Sequence, residues 1–413
     1  MSKKQNQLKQ QKTGIVSWIV FLVTISMVVI TLTSVIFPAF ILGSTSEIKY
    51  PIEINIFETG LWANPVITAN VIVFGLLILY YKNKLPTFIT KLIKFIFNFE
   101  VSKRVAFWFI VVIIAIYIGF SIEEVFAKDP WIDYLRYQKP QLDKWTPTSF
   151  RGTVTDTYLT FALGKASGVV FGEYAVSAFM ASIVLLVLTY LLTLEITKKR
   201  FAGLVAMIVL LQSGNFLIYD TTITYPNFWV VFLVLSLYMV YKKWPLSHVS
   251  FLLSLPSKFM SAFYFPVILF FAYRANIPKR NKKLIFLTYG VITVIAFIVL
   301  QFSGLISIPT GGDFLEFDQR QFMSGLTAFS YQFRFDGIIL MFMLPLTVGL
   351  FIASRNGIKE ADSILVLLVG PLVFAALMTG FSGYTNNPYR FMPFVVFFAI
   401  GVGTLLSRRR ING

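Results

Sequence analysis

Uncharged apolar runs recur along this chain, and VAFWFIVVIIAIYIGF, residues 105–120, is one of them. A helix needs about 20 such residues to cross roughly 30 Å of hydrocarbon. Within hydrocarbon, only a helix or a closed barrel satisfies every backbone N–H and C=O. Apolar runs with at most two charged residues fall at roughly 14–43, 63–81, 105–124, 174–196, 201–219, 225–241, 284–303, 336–354, 363–380 and 389–407. With 57% hydrophobic and 13% charged residues in 413, the chain has more apolar surface than a soluble core could hide. The expected fold is all-α: a polytopic membrane helix bundle of about 10 full spans plus a broken hairpin at 246–273. The first run follows MSKKQNQLKQQK, a signal-peptide-like opening, but it is too long and lacks an A-x-A exit, so a retained anchor is expected.

The formal charge of +17 is spread through short basic clusters between the runs. That placement fits juxtamembrane contact with membrane lipids and argues against nucleic acid as a partner. The N-terminus, YKNKLPTFITKLIKFIF with NFEVSKR, TKKR, YKKW, RANIPKRNKK and RRRING can all share one side, which the positive-inside rule makes the cytoplasm. Both termini are then cytoplasmic, and the remaining loops, at 44–62, 125–173, 220–224, 304–335 and 381–388, face outward. The absence of Cys and the abundance of Ile, Lys and Phe point to a prokaryotic cell membrane. Around Lys91 and Lys94, the pattern with Phe88, Leu92, Phe95 and Ile96 predicts an interfacial helix. The chain divides into residues 1–104, an N-terminal pair of spans with this helix, and residues 105–413, the main membrane domain.

The parity holds only if 246–273 enters and leaves on one side, because Lys242 and Lys243 precede it while Arg274, Lys279 and Arg280 follow. Two short arms with Pro256, Ser257 and Lys258 at the apex are expected; the alternative is one long helix with Lys258 snorkelling.

No cysteine and a single His248 remove thiol nucleophiles, disulfides, His-based triads and multi-His metal sites. Chemistry must then rest on carboxylates, Lys, Arg or Tyr. KDPWIDYLRYQ, residues 128–138, sets Asp129 and Asp133 four apart, on one face of a helical turn. Such a pair could bind a divalent cation, Mg or Mn, or supply a base tuned by its neighbour. It could equally be a solvated loop, with Trp131, Tyr134 and Tyr137 in an aromatic belt. Asp220 in DTTITYPNFW, Lys258, and Arg390 in NNPYRFMPF face the same side by topology, and Arg with Lys suits a phosphorylated ligand.

The order of these pieces resembles glycosyltransferase superfamily C from residue 105 onward, about three quarters of the chain. The likeness runs through the acidic motif after a span and the Phe171-Gly172-Glu173 turn. It continues through Asp220 before a span, the broken LLSLPSKFMSAFYFPVILFFAY and the closing Tyr389-Arg390-Phe391 before Pro393. Asp129-Pro130-Trp131 with Tyr134 is similar to the Asp-Pro-Trp-x-x-Tyr motif of the oligosaccharyltransferase catalytic subunit. Here Leu135 separates the Tyr from Arg136, WWDYG is absent, and no large soluble C-terminal domain is expected, which favours transfer of one sugar. The resemblance implies inverting transfer from a polyprenyl-phosphate-linked sugar to a glycan, lipid or protein acceptor on the outer face. Asp129, or alternatively Asp133, would be base or metal ligand; Asp220 would orient acceptor or metal; Lys258 and Arg390, with Tyr389, would hold the phosphate. The alternatives are a transporter or flippase for an anionic lipid, and a non-catalytic scaffold member of the same superfamily.

Overall fold

The computed structural model describes residues 3–40, 55–127, 129, 131–146, 158–302, 317–382 and 388–407. Pro130 of the acidic motif and residues 147–157, 304–316 and 408–413 lie outside them.

The chain is a multi-pass membrane protein built of helices, with no strand among the described residues. In chain order the helices are α1 (Lys3–Ile36), α2 (Ala63–Tyr81), α3 (Thr87–Asn98), α4 (Lys103–Phe126), α5 (Lys139–Lys144), α6 (Tyr158–Phe171) and α7 (Ala175–Thr197). They continue with α8 (Arg200–Leu211), α9 (Gly214–Tyr219), α10 (Phe228–Lys242), α11 (Trp244–Ser254), α12 (Phe265–Arg274) and α13 (Lys279–Phe302). The last four are α14 (Gln319–Gln332), α15 (Gly337–Arg355), α16 (Glu360–Ser382) and α17 (Met392–Leu405).

Among the described residues, 7 helices are long and apolar enough to cross a membrane. They match seven of the ten apolar runs. The run 201–219 is instead divided into α8 and α9, because Ser213 accepts a hydrogen bond from Phe216 N and starts a new helix. The run 225–241 holds most of α10, a helix of 15 residues, and 284–302 lies within α13.

The core gathers around α17, where Phe394, Phe397 and Phe398 are fully buried against α7, α8 and α16. Helices α1 and α2 pack on α15, and α1 also packs on α14 and α16, so the N-terminal pair is built into the C-terminal half. Trp62 Nε1 donates to Arg334 O at 2.7 Å, and Phe21 stacks on Phe351 with centroids 4.2 Å apart.

Candidate functional site

The segment 246–273 is broken, as its charge parity requires. Helix α11 stops at Ser254, since Pro256 has no N–H to continue the ladder. Serine hydroxyls take up carbonyls left over at the break: Ser254 donates to Phe251 O, Ser257 to Leu253 O and Ser261 to Ser254 O. A tight 3₁₀ stretch, Phe259–Tyr264, leads into α12, which has Pro266 in its first turn.

Ring contacts fix the direction of the return arm. Tyr264 lies 6.1 Å from Trp229 at the start of α10, and Phe271 lies 5.7 Å from Tyr241 at its end. The arm therefore comes back to the side it left. The apex is gripped by α6, whose first turn donates Leu159 N to Pro256 O (2.9 Å) and Thr160 Oγ1 to Ser257 O (3.0 Å).

Lys258 follows that apex with its ammonium 4.1 Å from the Tyr389 ring centroid. Tyr225 stacks on the same ring at 4.2 Å and 9°, which leaves the opposite face to the cation. The Tyr225 hydroxyl donates to Asp133 Oδ2 at 2.5 Å. Burial, reinforced by Asp133, holds the Tyr225 phenol above its ordinary range, so it remains a donor. Asp133, Tyr225, Tyr389 and Lys258 thus form one continuous chain of contacts. Trp131 and Tyr219 extend it: their rings stack at 5.3 Å and each meets Tyr225 edge-on.

Asp129 lies beside this chain with both oxygens occupied. Oδ1 accepts Trp131 N–H at 3.0 Å, while Oδ2 accepts the hydroxyls of Thr222 (2.6 Å) and Thr224 (3.0 Å). It therefore ties the 131–146 segment to the loop between α9 and α10. Asp129 thus meets backbone and hydroxyl donors of the protein, while Asp133 meets the Tyr225 hydroxyl. No group of three metal-ligating side chains occurs among the described residues.

Asp220, next in sequence to Tyr219, makes a separate set of contacts. It is 0% exposed; its Oδ2 accepts from Ser121 at 3.0 Å, its backbone carbonyl accepts from Ser182, and Oδ1 has no partner. Burial pushes the Asp220 carboxyl up to about 6, opposed by hydroxyls of Tyr117 and Ser121 and assisted by Glu124.

Arg390 adjoins the same chain through Tyr389. Its Nε donates to the Tyr389 hydroxyl at 3.3 Å, while Nη1 is buried without a partner. Arg390 lines a small cavity with Phe263, Tyr264, Pro371 and Phe374. The structure therefore brings Asp133, Lys258, Tyr389 and Arg390 together, sets Asp129 beside them as a tie, and keeps Asp220 in the bundle.

Tyr225, Thr222 and Thr224 escaped the sequence reading. The hydroxyl density of DTTITYPNFW was the available signal, but nothing in it marks which hydroxyl meets which acid. Compared with known families, curated proteins and solved structures, the chain matches none of the family models and none of the proteins or structures.

Proposed function

We propose that the protein is a membrane glycosyltransferase that moves a sugar from a polyprenyl-phosphate donor to an acceptor hydroxyl of a glycan, lipid or protein, with inversion. It acts in the cell membrane, with both termini cytoplasmic and the acid-rich face outward. The observation that carries this reading is the Asp133–Tyr225–Tyr389–Lys258 chain, which sets a carboxylate and a cation on two sides of one aromatic stack.

The acceptor oxygen attacks the anomeric carbon as the bond from that carbon to the phosphate oxygen breaks. The bonding pair leaves with the phosphate, and the acceptor proton passes to a carboxylate. Asp133 takes that proton, because Asp129 already accepts from three donors that tie it to the loop, whereas Asp133 accepts from Tyr225. Lys258, joined by Arg390, meets the charge that grows on the leaving phosphate. Asp129 holds the loop that carries Tyr225.

The test is release of polyprenyl phosphate from a polyprenyl-phosphate sugar by purified protein. Asp133→Asn removes the base and lowers turnover on the order of a hundredfold or more. Asp129→Asn keeps the acceptor for Trp131 N–H and costs about tenfold, through geometry. Loss with Asp129→Asn and retention with Asp133→Asn would exchange the two roles, and a folded protein that releases no polyprenyl phosphate sinks the reading.

A further inference from the structure

Helix α3 joins two spans through short connections, five residues after Tyr81 and four before Lys103. It cannot leave the membrane surface, yet none of its residues is buried by the chain. Phe88 is 75% exposed and Phe95 61%, and both share a face with Leu92 and Ile96. Lys91 and Lys94 occupy the flank of that face, exposed. From residue 82 to 104 the sequence carries six basic residues, Lys82, Lys84, Lys91, Lys94, Lys103 and Arg104, against the single acid Glu100.

Glu100 is itself engaged by protein, accepting Arg200 N at 3.0 Å and Val101 N at 3.1 Å. The rest of the strip therefore presents positive charge with no acidic counterpart.

The C-terminal end of α3 is held by a buried lysine. Lys199 is 0% exposed, in the turn where Lys198 adopts a left-handed backbone at φ 57. Its Nζ donates to Phe97 O at 2.9 Å and Ile96 O at 3.2 Å, the carbonyls that close the helix. An ammonium there meets the negative end of the helix dipole and satisfies acceptors that no further turn could reach. Phe99 adds an edge-on contact to Phe201 at 4.9 Å. The contacts of this grip lie at residues 96–101, and Phe88, Leu92 and Phe95 in the earlier turns of α3 stay exposed.

We infer that α3 is a docking surface for the anionic phospholipid leaflet on the basic side of the bundle, keyed to the α7–α8 turn by Lys199. The occupant is lipid, because the strip combines an apolar face, lysines on its flank and covalent ties to two spans. A buried cation at the helix end makes the bundle and the lipid-facing helix one mechanical unit.

The chain contains no cysteine, so a single reporter thiol can be placed without background. Full-length Phe95→Cys and Asn98→Cys proteins are reconstituted in vesicles of phosphatidylcholine alone or with phosphatidylglycerol, and labelled with a membrane-impermeant maleimide. The Phe95→Cys protein should label about tenfold more slowly in the anionic vesicles than in the neutral ones, whereas the Asn98→Cys protein, with its thiol on the polar side, should label equally in both. Adding Lys91→Gln with Lys94→Gln to Phe95→Cys should remove most of the difference at position 95.

Equal labelling of the Phe95→Cys protein in the two vesicles overturns the proposal, and so does protection that survives loss of both lysines. Lys199→Met should restore fast labelling at position 95 in anionic vesicles. Should that variant not fold, Phe201→Ala loosens the same grip. Unchanged protection in whichever of the two folds removes Lys199 from the assignment.

Discussion

Asp220 is where burial and charge conflict most directly, and the conflict has a measurable sign. Its carboxyl titrates at about 6 in the fold, against about 3.9 in an unfolded chain. Below the lower value both states are protonated and the contribution is fully present. Between the two, the native state keeps a proton that the unfolded state has released, so stability falls as pH rises and levels off above about 6. The whole effect is on the order of ~3 kcal/mol. Burial also raises Asp336, against hydrogen bonds from Ser213, Gly214 and Asn215, and this adds in the same direction. Asp220→Asn should therefore gain melting temperature over wild type as pH rises from about 4 to about 6 in detergent and hold a steady advantage above that; a constant difference between about pH 4 and 7.5 would refute the assignment. Sequence could name Asp220 as a costly charge near a membrane boundary, but not that Ser121, 99 positions away, would receive it. The same limit applies to Asp129 and Asp133. Their spacing showed two acids on one turn, while the partners that distinguish them are Thr222, Thr224 and Tyr225, which only the fold brings near.

Elements were more legible than residues where charge marked their ends. The broken hairpin followed from basic residues on both flanks of 246–273 and Pro256 within it, and the structure has α11, the 3₁₀ stretch and α12 there. The division at Ser213 was not legible, because hydropathy stays high across 201–219 and one side-chain cap decides the break. Close helix approach was also invisible in a pattern of apolar residues. A Cβ on Gly403 of α17 would lie 2.6 Å from Thr193 Cγ2 and 2.7 Å from the backbone oxygen of Ala202. A backbone atom cannot yield as a side chain can, so Gly403→Ala must push α17 away from α7 and α8. The expected loss is about 1–3 kcal/mol, read as a lower melting temperature. Gly290 in α13 supplies the contrast, since nothing lies within 4 Å of its Cβ position. Gly290→Ala should be neutral or stabilising by up to about 1 kcal/mol. Equal effects at the two glycines would mean that α17 has room the geometry denies it.

At the scale of the whole molecule, one buried ion pair joins segments that no sequence pattern associates. Arg274, at the end of the return arm, pairs through Nη2 with Asp362 Oδ2 in α16. Ser17 of α1 donates to the same oxygen at 2.8 Å and lies 3.0 Å from Ser354 of α15. Arg274 Nε also reaches Lys359 O at 3.3 Å, and Asn276 N donates to Glu360 Oε1 at 3.0 Å. The contact between Ser17 and Asp362 spans 345 positions, so a division of the sequence near residue 104 could not foresee it. The pair is almost wholly withdrawn from solvent, at 4% and 0% side-chain exposure. Removing one partner strands the other charge, whereas removing both leaves an apolar gap that can be filled. Arg274→Met should then cost about 3–5 kcal/mol, because Asp362 already has an unpartnered Oδ1 and would lose its counter-charge as well. Arg274→Met combined with Asp362→Leu should be more stable than Arg274→Met alone, despite carrying two changes. Thermal unfolding in detergent across the four members of this cycle measures the coupling. Simple additivity would show that the pair does not link the hairpin to α1 and α16, and that those elements are held by apolar packing alone.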